Sequence, residues 1–446
     1  MARTMDTSVQ RRVAPGDVPR GQARTGQRPF GFERIELVLG IVAVVAMAVT
    51  VIAGTIGAAV FLAAAVASVA IRPAESVRDL GRFAPLLVLP LLAMVSTIWS
   101  DAPERTLRAG IQLMMTVIAA VIVCRRVSGT TLVAVLFLAY LAMCGESLVE
   151  LPAVLRTRAP LHGLFDSKNQ FAFASHLLFA LSLAVVVDGR QKMLLRLIAA
   201  VAVPLSVLLV VLAQSAGATT SLAVTLLTFP AFLILGRVPL RLRIAILVGT
   251  AVVLGLALVV LPDLLAAWTD FQVHVLKKDA TLTGRTYLWD FGARVIAERP
   301  LLGHGYYAFW RPGNIDAEGL WRWAGIRSRS GFNFHNAIVE MRVDLGWVGT
   351  GVLVAACAGV AVAALMRQVI RGNVTMAFLL SMLVVLYIRS YAESTLVGPF
   401  NMITFLWIAT AVYACSGMWD VSRPASGRTP RGLWAGRSKP VQNRAA

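Results

Sequence analysis

Charged residues are scarce in this chain of 446 residues. Lysine, arginine, aspartate and glutamate together make up 15% of it, whereas a soluble domain carries about a quarter. Hydrophobic residues make up 58% of the sequence and the mean hydropathy is +0.74. Apolar runs long enough to cross a hydrocarbon core of about 30 Å recur between residues 35 and 416. This composition excludes a soluble globular protein. It predicts an all-α polytopic integral membrane protein, because lipid offers backbone groups no hydrogen-bond partners.

Cysteine is also rare, and its spacing argues against two classes of site. Cys124, Cys144, Cys357 and Cys415 each lie in or beside an apolar run, and no C-x-x-C pair occurs. This pattern is not typical of a zinc site or of a disulfide framework. We therefore predict that the four cysteines are small buried hydrophobic residues.

Both ends of the sequence lack apolar segments. Residues 1–34 are polar and rich in arginine, without the hydrophobic run that a signal peptide requires. We predict that 1–34 form a disordered basic cytoplasmic arm, that 35–416 form the transmembrane domain, and that 417–446 form a basic cytoplasmic tail.

Acidic residues are outnumbered by basic ones, 23 against 42, which gives a net charge of +19. In a soluble protein this excess would suggest a nucleic-acid partner. The arginines instead cluster in the tails and short loops, as membrane orientation and contact with anionic lipids require. The sequence also has no aromatic-basic module of the kind that binds nucleic acid. We therefore expect membrane lipids as partners and no nucleic acid.

The apolar runs predict about twelve transmembrane helices. The run 35–71 is long enough for two of them, with a break expected near Gly54. The others are predicted at 84–99, 107–124, 131–149, 169–188, 193–213, 217–236, 244–262, 345–366, 374–390 and 399–416.

Basic residues in the short loops predict the orientation of these helices. With the N-terminal arm in the cytoplasm, every inside loop is basic, and the short outside connections near 55 and 214–218 carry no lysine or arginine. The basic residues of the inside loops are Arg72, Arg78, Arg82, Arg125, Arg126, Arg190, Lys192, Arg196, Arg237, Arg241, Arg243, Arg367 and Arg371. This pattern obeys the positive-inside rule and places both termini in the cytoplasm. It leaves two longer segments outside, 150–168 and a large loop over about 263–344.

The large outside loop contains a block that predicts an amphipathic helix over about 286–298, ended by Pro300. Arg285 lies at the start of this helix. There an arginine beside free backbone N–H groups can bind a phosphate bidentately, or it can simply be solvated. A tight turn rich in aromatic residues is predicted at 303–307. The aromatic residues of the loop fit either a belt at the membrane interface or a platform on which sugar rings stack.

The stretch "FNFHNAIVEMRVDLGWVGTGV", residues 332–352, carries a histidine and three charged residues into the mouth of a predicted span. A helix running from His335 would place Val339, Arg342, Gly346 and Gly349 on one stripe. The two glycines would then leave a groove for another helix or a lipid tail. The alternative is a hydrogen-bonded interfacial histidine above a seam of small residues. Charges at membrane depth need partners and mark functional sites.

Two further outside segments can converge on the same site. Lys168 and Asn169 lead into the span at 169–188, where the lysine either binds a ligand or is a snorkelling anchor. Arg389 and Glu393 lie one helical turn apart at the outer end of another span. They form either part of the site or a weak i,i+4 ion pair.

These residues resemble the O-antigen ligase and polymerase superfamily. His335-Asn336, nine residues, Gly346, two residues and Gly349 match its pattern H-[NSQ]-x9-G-x-x-G. Three further stretches resemble the exopolysaccharide-polymerase branch: "STIWSDAPE" at 96–104, "GLFDSKN" at 163–169 and the block 284–305. The motifs occur in the order that the branch has. Ser167 departs from it, since the branch often has histidine before Lys-Asn.

The resemblance implies a metal-independent membrane glycosyltransferase of GT-C-like architecture, on the outer face of the bacterial inner membrane. The implied donor is a glycan on undecaprenyl diphosphate. A polymerase passes this glycan to another lipid-linked repeat unit, a ligase passes it to lipid A core, and some relatives pass it to protein. The branch favours polymerisation of an exopolysaccharide or O-antigen. A flippase and a chain-length regulator are the implied protein partners, and no cofactor is expected.

Physical chemistry assigns roles to the matching residues in such a reaction. The acceptor hydroxyl must lose a proton, which a histidine can accept near neutral pH, so His335 is the predicted base, with Asn336 orienting it or a sugar hydroxyl. The leaving diphosphate needs charge stabilisation, for which Arg285 is the first choice and Lys168 the second. The other residues predicted to bind substrate are Asn169, Arg342, Arg389 and Glu393. No outside loop contains a D-x-D motif, so no bound metal is expected.

A transporter or flippase for lipid-linked sugars is the alternative from a different class of protein. It would account for the spans and for charges at membrane depth. It does not account for a large loop rich in tryptophan, arginine and histidine, nor for the spacing of the histidine motif.

Overall fold

The computed structural model describes residues 30–250, 252, 284–394 and 396–416, and every regular element among them is helical. A helix already begins at Phe30, inside the segment predicted as a disordered arm. The rest of that arm, the predicted tail 417–446 and most of the predicted span 244–262 lie outside the described residues. The large loop is described from residue 284 onward.

The helices follow the apolar runs of the sequence. They are α1 (Phe30–Ile71), α2 (Pro73–Arg82), α3 (Val88–Val95), α4 (Pro103–Arg126), α5 (Gly129–Glu146), α6 (Leu151–Thr157), α7 (Lys168–Val187), α8 (Met193–Leu212), α9 (Ala216–Leu235), α10 (240–250), α11 (Arg285–Glu298), α12 (Ile315–Trp323), α13 (Ala337–Arg371), α14 (Val374–Arg389) and α15 (Met402–Cys415). Helix α11 agrees with the amphipathic helix predicted over 286–298.

Seven of the described helices are long and apolar enough to cross a membrane. The number rises to eight if α2 and the segment Ala84–Ile98, which bend by 79° where they meet, are counted as one span. Helices α14 and α15 occupy two further predicted spans but are shorter. The predicted all-α polytopic fold is confirmed, and the count of twelve spans stays a prediction.

Gly54 divides α1 into two halves. Its backbone leaves the helical region (φ 51°, ψ −123°), a conformation that costs glycine little. A β-carbon on Gly57 would lie 3.1 Å from the carbonyl oxygen of Ala46, although a straight helix would separate these residues by about 16 Å. The two halves therefore fold back on each other, and the break expected near Gly54 is confirmed.

Helix α7 is the most enclosed of the candidate spans. In the most apolar 18-residue stretch of α7, 72% of the residues are buried, against 28% in the corresponding stretches of α8, α9 and α13. Ser167 caps its first turn, because the serine hydroxyl accepts a hydrogen bond from the backbone N–H of Gln170. The core helix therefore begins at Lys168 and holds Lys168 and Asn169 at one end of the bundle, as predicted.

An ion-pair cluster lies at the C-terminal end of α4, around Arg125 and Arg126. Asp79 of α2 accepts hydrogen bonds from Arg125 (3.0 Å) and Arg126 (3.1 Å), and Arg72 lies 2.6 Å from Glu36 of α1. Asp79 and Glu36 are buried. These arginines belong to the basic loops that predicted the orientation, and the cluster joins the ends of α1, α2 and α4. We call this part of the molecule the Asp79 end.

Helix α13 begins later than predicted. The helix was expected to run from His335, but its first residue is Ala337, and the N-cap is Asn336. The side-chain oxygen of Asn336 accepts a hydrogen bond from the backbone N–H of Ile338 (2.9 Å). The predicted stripe that joined His335 to Arg342 is therefore wrong, because His335 lies outside the helix.

The predicted glycine groove is also wrong, because the chain itself fills it. Gly346 breaks α13 (φ 63°, ψ −157°), and a β-carbon there would lie 2.3 Å from the backbone carbon of Leu301. The backbone N–H groups of Trp347 and Val348 donate to the carbonyl oxygens of Pro300 and Leu301 (2.8 and 3.1 Å). No room is left at Gly346 for a lipid tail.

The motif at 96–104 packs against the turn that follows α11. The indole N–H of Trp99 donates to the carbonyl oxygen of Leu302 (3.0 Å). The Asp101 carboxylate contacts His304 Nδ1 at 2.8 Å with one oxygen and Arg299 at 2.9 Å with the other. These contacts fasten the large loop to the start of α4 and so fix the position of α11.

Candidate active site

His335 lies in a strained turn that its neighbours hold in place. Its φ of 51° is in the left-handed region, which costs a residue with a β-carbon about 1 kcal/mol or more. Its backbone N–H donates to the side-chain oxygen of Asn333 (2.8 Å), which also accepts a hydrogen bond from the Ser394 hydroxyl (3.0 Å). The Ser394 hydroxyl in turn accepts from the backbone N–H of Asn336 (3.2 Å). The turn is therefore tied to the loop after α14.

Glu393 joins the two predicted catalytic residues. One of its carboxylate oxygens lies 3.5 Å from His335 Nδ1, and the other lies 3.7 Å from a terminal nitrogen of Arg285. The three side chains retain 29%, 26% and 25% exposure for His335, Glu393 and Arg285. They are therefore partly shielded from solvent but still open to a ligand. The geometry brings together residues that are 50 or more positions apart in the sequence.

The charges around Glu393 decide its ionisation. Burial alone would raise its pKa, but contact with His335 and the nearby guanidinium groups of Arg389 and Arg285 outweigh burial and hold the pKa below its ordinary value. Glu393 is therefore an anion at neutral pH. This anion lies on the Nδ1 side of the imidazole, so Nε2 is the ring nitrogen without the Glu393 carboxylate beside it.

A basic and partly apolar cavity of about 640 Å³ opens beside Arg285. Lys168, Arg285 and Arg389 bring three cationic groups to its wall. Arg389 is fixed by the Phe173 ring, 4.9 Å from the guanidinium carbon, and by the Ser221 hydroxyl at 3.4 Å. Helices α9 and α14 bring apolar residues to the wall, among them Val224, Val385 and Ile388. We call it the cationic cavity.

A second cavity of about 420 Å³ adjoins the first and is lined by His335. Asn169, Arg389 and Glu393 line both cavities and so form the boundary between them. Asn169 is held there by a hydrogen bond from the Ser215 hydroxyl (3.1 Å). We call this the central cavity. Six of the residues singled out in the sequence therefore surround one continuous space: Lys168, Asn169, Arg285, His335, Arg389 and Glu393.

Two other predicted substrate-binding residues line neither cavity. Asn336 caps α13 with its side-chain oxygen, and its amide N–H donates to the backbone oxygen of Tyr391 (3.2 Å). The guanidinium carbon of Arg342 lies 3.7 Å from the centre of the Trp347 ring. The side chain of Asn336 therefore stabilises the fold. The guanidinium of Arg342 stacks on the Trp347 ring of the same helix.

Glu340 and Asn333 contribute to the site but were missing from the sequence prediction. The Glu340 carboxylate accepts hydrogen bonds from the backbone N–H of Phe334 (2.8 Å) and from the indole N–H of Trp310 (2.9 Å). It therefore holds the residue that precedes His335. The signals in the sequence were that Asn333 precedes the histidine motif and that Glu340 is one of the charged residues inside it. Partners as distant as Trp310 are not visible in one sequence.

No group of three or more His, Cys, Asp or Glu side chains among the described residues is placed to hold a metal ion. Among the described residues, the side chains that bring positive charge to the cationic cavity are Lys168, Arg285 and Arg389.

Fold and site together define a class: an α-helical membrane protein with a His–Glu–Arg site beside a cationic cavity at one end of its helical bundle.

Comparison with known proteins gives the family. Residues 201–354, which include Arg285 and His335, match the family model for O-antigen ligase. The chain is 32% identical over 346 residues to the exopolysaccharide production protein ExoQ of Rhizobium meliloti strain 1021, covering 74% of this chain and 78% of that protein. The chain belongs to the O-antigen ligase and polymerase superfamily, in the branch of ExoQ. The predicted relationship is confirmed.

Proposed function

We propose that this protein is a bacterial inner-membrane glycosyltransferase that polymerises lipid-linked repeat units of an exopolysaccharide or O-antigen. The donor is a glycan on undecaprenyl diphosphate, and the acceptor is a second lipid-linked unit. The observation that carries the proposal is Glu393, which joins His335 to Arg285 where the central and cationic cavities meet. The kinship with an exopolysaccharide production protein supports the choice of product.

His335 is the proposed base. Nε2 takes the proton of the acceptor hydroxyl as that oxygen attacks C1 of the donor sugar. The new bond joins the acceptor oxygen to C1, and the bond from C1 to the phosphate oxygen breaks. Glu393 holds the imidazole and stabilises the positive charge that forms on it, because its carboxylate lies 3.5 Å from Nδ1.

The leaving diphosphate is proposed to bind in the cationic cavity. It departs with the bonding electron pair, and the cations of Arg285, Lys168 and Arg389 stabilise its charge. Lys168 begins α7, so the free backbone N–H groups of that helix end also favour an anion. Arg285 must exchange part of its contact with Glu393 for the phosphate.

The prenyl tail is proposed to run along α9 and α14. These helices bring Val224, Val385 and Ile388 to the cationic cavity, and Ile388 is exposed. This replaces the groove at Gly346, which the loop at 300–302 fills.

The site is proposed to face the periplasm, with both termini in the cytoplasm. The basic residues at the Asp79 end support this orientation, because arginines and lysines are retained on the cytoplasmic side.

A ligase is the second candidate, because the matching family model is described as an O-antigen ligase. In that case the same site would pass the glycan to lipid A core or to protein instead of to another repeat unit.

A reconstituted transfer assay tests the proposal. Purified protein in detergent is given the lipid-linked repeat unit extracted from the cells that make it. A polymerase yields longer lipid-linked glycans and free undecaprenyl diphosphate. A ligase leaves the chain length unchanged until lipid A core is added. A flippase produces neither product, because detergent leaves no compartments to cross, and that result would overturn the proposal.

A further inference from the structure

A third cavity of about 530 Å³ adjoins the central one on the side away from the cationic cavity. Gly331, Asn333 and Asn401 line both the central and the third cavity. The third and the cationic cavity have no lining residue in common. The three spaces therefore follow one another in the order cationic, central, third.

Aromatic rings form one wall of the third cavity. Tyr307, Trp310 and Phe332 line it, and Tyr307 is 41% exposed. Phe332 packs edge-on against Trp310, with ring centres 5.3 Å apart, and also against His335 at 5.6 Å. The aromatic wall therefore reaches from the third cavity to the proposed base. We call this space the aromatic cavity.

Two basic and two acidic side chains complete the lining of the aromatic cavity. Arg105 and Arg329 bring guanidinium groups to it, and Glu340 and Asp344 bring carboxyl groups. Glu340 fixes the Trp310 ring through the indole N–H. Aromatic faces suit the C–H surface of a sugar ring, and planar charged groups suit its hydroxyls. The aromatic cavity has as many acidic as basic side chains in its lining, whereas the cationic cavity has three basic side chains and one acidic side chain, Glu393. The aromatic cavity therefore favours a neutral polar ligand over a phosphate.

The direction of the reaction identifies the sugar. In a direct displacement, the acceptor oxygen approaches C1 from the side opposite to the leaving group. The diphosphate leaves on the cationic side, so the acceptor must approach from the side of the aromatic cavity. We propose that the aromatic cavity binds the terminal sugar of the acceptor glycan, and that the exposed Tyr307 ring supports it. This inference rests on the proposed function, since it takes the diphosphate to lie in the cationic cavity.

Tyr307 offers a clean test because Tyr287 is a matched control. The two tyrosines are 41% and 43% exposed, but only Tyr307 lines the aromatic cavity. Tyr287 lies on α11 and packs against Trp323, with ring centres 4.7 Å apart. Tyr307→Ala removes the ring and keeps the backbone carbonyl that accepts a hydrogen bond from Arg105 (2.9 Å). Each alanine variant loses one ring contact with centres 4.7 Å apart, Tyr307 with Tyr306 and Tyr287 with Trp323, so the two variants are matched in the packing that they lose.

The probe is the lipid-free repeat-unit oligosaccharide, released by mild acid from the lipid-linked intermediate. Its binding to the purified full-length protein is measured by saturation-transfer difference NMR, with and without undecaprenyl diphosphate. Tyr307→Ala is expected to weaken binding about tenfold, in line with the loss of one stacking ring. Tyr287→Ala is expected to bind as the wild type does, and undecaprenyl diphosphate is expected not to compete.

Two results would overturn the inference. One is equal binding by the wild type and Tyr307→Ala, or no binding by either. The other is displacement of the oligosaccharide by undecaprenyl diphosphate, which would place it on the donor side. If the wild type binds the oligosaccharide through Tyr307 but never extends a lipid-linked unit, the proposed function fails and the sugar site remains.

Discussion

At the scale of single residues, Glu393 organises the site. Its two carboxylate oxygens face His335 and Arg285, and Arg389 lies close enough to help hold its pKa below the ordinary value. Without this anion, two guanidinium groups and an imidazole would face one another at short range. One acidic residue therefore lies between the proposed base and the cations and offsets their positive charge.

Replacement of Glu393 by glutamine is expected to change the pH dependence of stability. Because its pKa is lowered in the folded protein, the ionised carboxylate stabilises the fold above the ordinary pKa of about 4.5. This contribution is lost as the pH falls through the folded-state value. Thermal unfolding in detergent should show Glu393→Gln less stable than the wild type at pH 7, with the difference shrinking below pH of about 4.5. A difference that stays constant into acid would contradict the account.

Replacement of Arg285 by alanine is expected to reduce glycan transfer by about 100-fold or more, since a preorganised group that stabilises the leaving charge is lost. Added Mg²⁺ is expected not to restore transfer, because no group of three or more His, Cys, Asp or Glu side chains among the described residues is placed to hold the ion. Arg294→Ala is the matched control, since Arg294 is exposed on the same helix over the Phe291 ring. Near-normal product length in Arg285→Ala would remove this residue from the mechanism.

At the scale of elements, the hydrophobic pattern predicted most helices: run length gave the break of α1 at Gly54, and periodicity gave α11. It failed at α13. The left-handed backbone of His335 depends on Asn333, which Ser394 holds in place. The break at Gly346 depends on the loop at 300–302, which packs against it. In both cases the contact comes from a segment that is distant in the sequence. A helical stripe drawn on the sequence cannot include such contacts, and so the glycine groove was misplaced.

The same element yields a prediction about Gly346. Alanine there would place its β-carbon 2.3 Å from the Leu301 backbone and at a φ of 63°, so we expect a loss of stability of about 2 kcal/mol or more. Gly351→Ala is the control in the same helix, because a β-carbon at Gly351 meets nothing within 4 Å. The measurement is the fraction of monodisperse protein after heating in detergent. Equal survival of the two variants would show that the loop does not pack as described.

The residues of the site could be predicted only in part. His335, Arg285 and Lys168 were found because they match motifs, and Arg389 and Glu393 because charges at a membrane surface need partners. Glu340 and the Asp101–His304 contact were missed, since each joins segments that are far apart in the sequence. Packing of the large loop onto α13 and onto the start of α4 decides those contacts, and this packing cannot be read from one sequence.

At the scale of the whole molecule, the two ends of the helical bundle are proposed to face different compartments. Cysteine labelling tests this in a background whose four native cysteines are replaced by alanine. Ser328→Cys lies in an exposed loop near the site, and Arg78→Cys lies at the Asp79 end. A membrane-impermeant maleimide should label residue 328 in intact spheroplasts and residue 78 only after the membrane is opened. The reverse pattern would put the site in the cytoplasm.

The central claim is that the imidazole of His335 deprotonates the sugar hydroxyl that displaces undecaprenyl diphosphate. The most direct measurement follows glycan length and released undecaprenyl diphosphate together, with purified wild type and His335→Ala on the same lipid-linked repeat unit. We predict that the wild type forms both products in step and that the variant, though inserted and folded, slows both by about 100-fold or more. Transfer by His335→Ala at the wild-type rate would contradict the account.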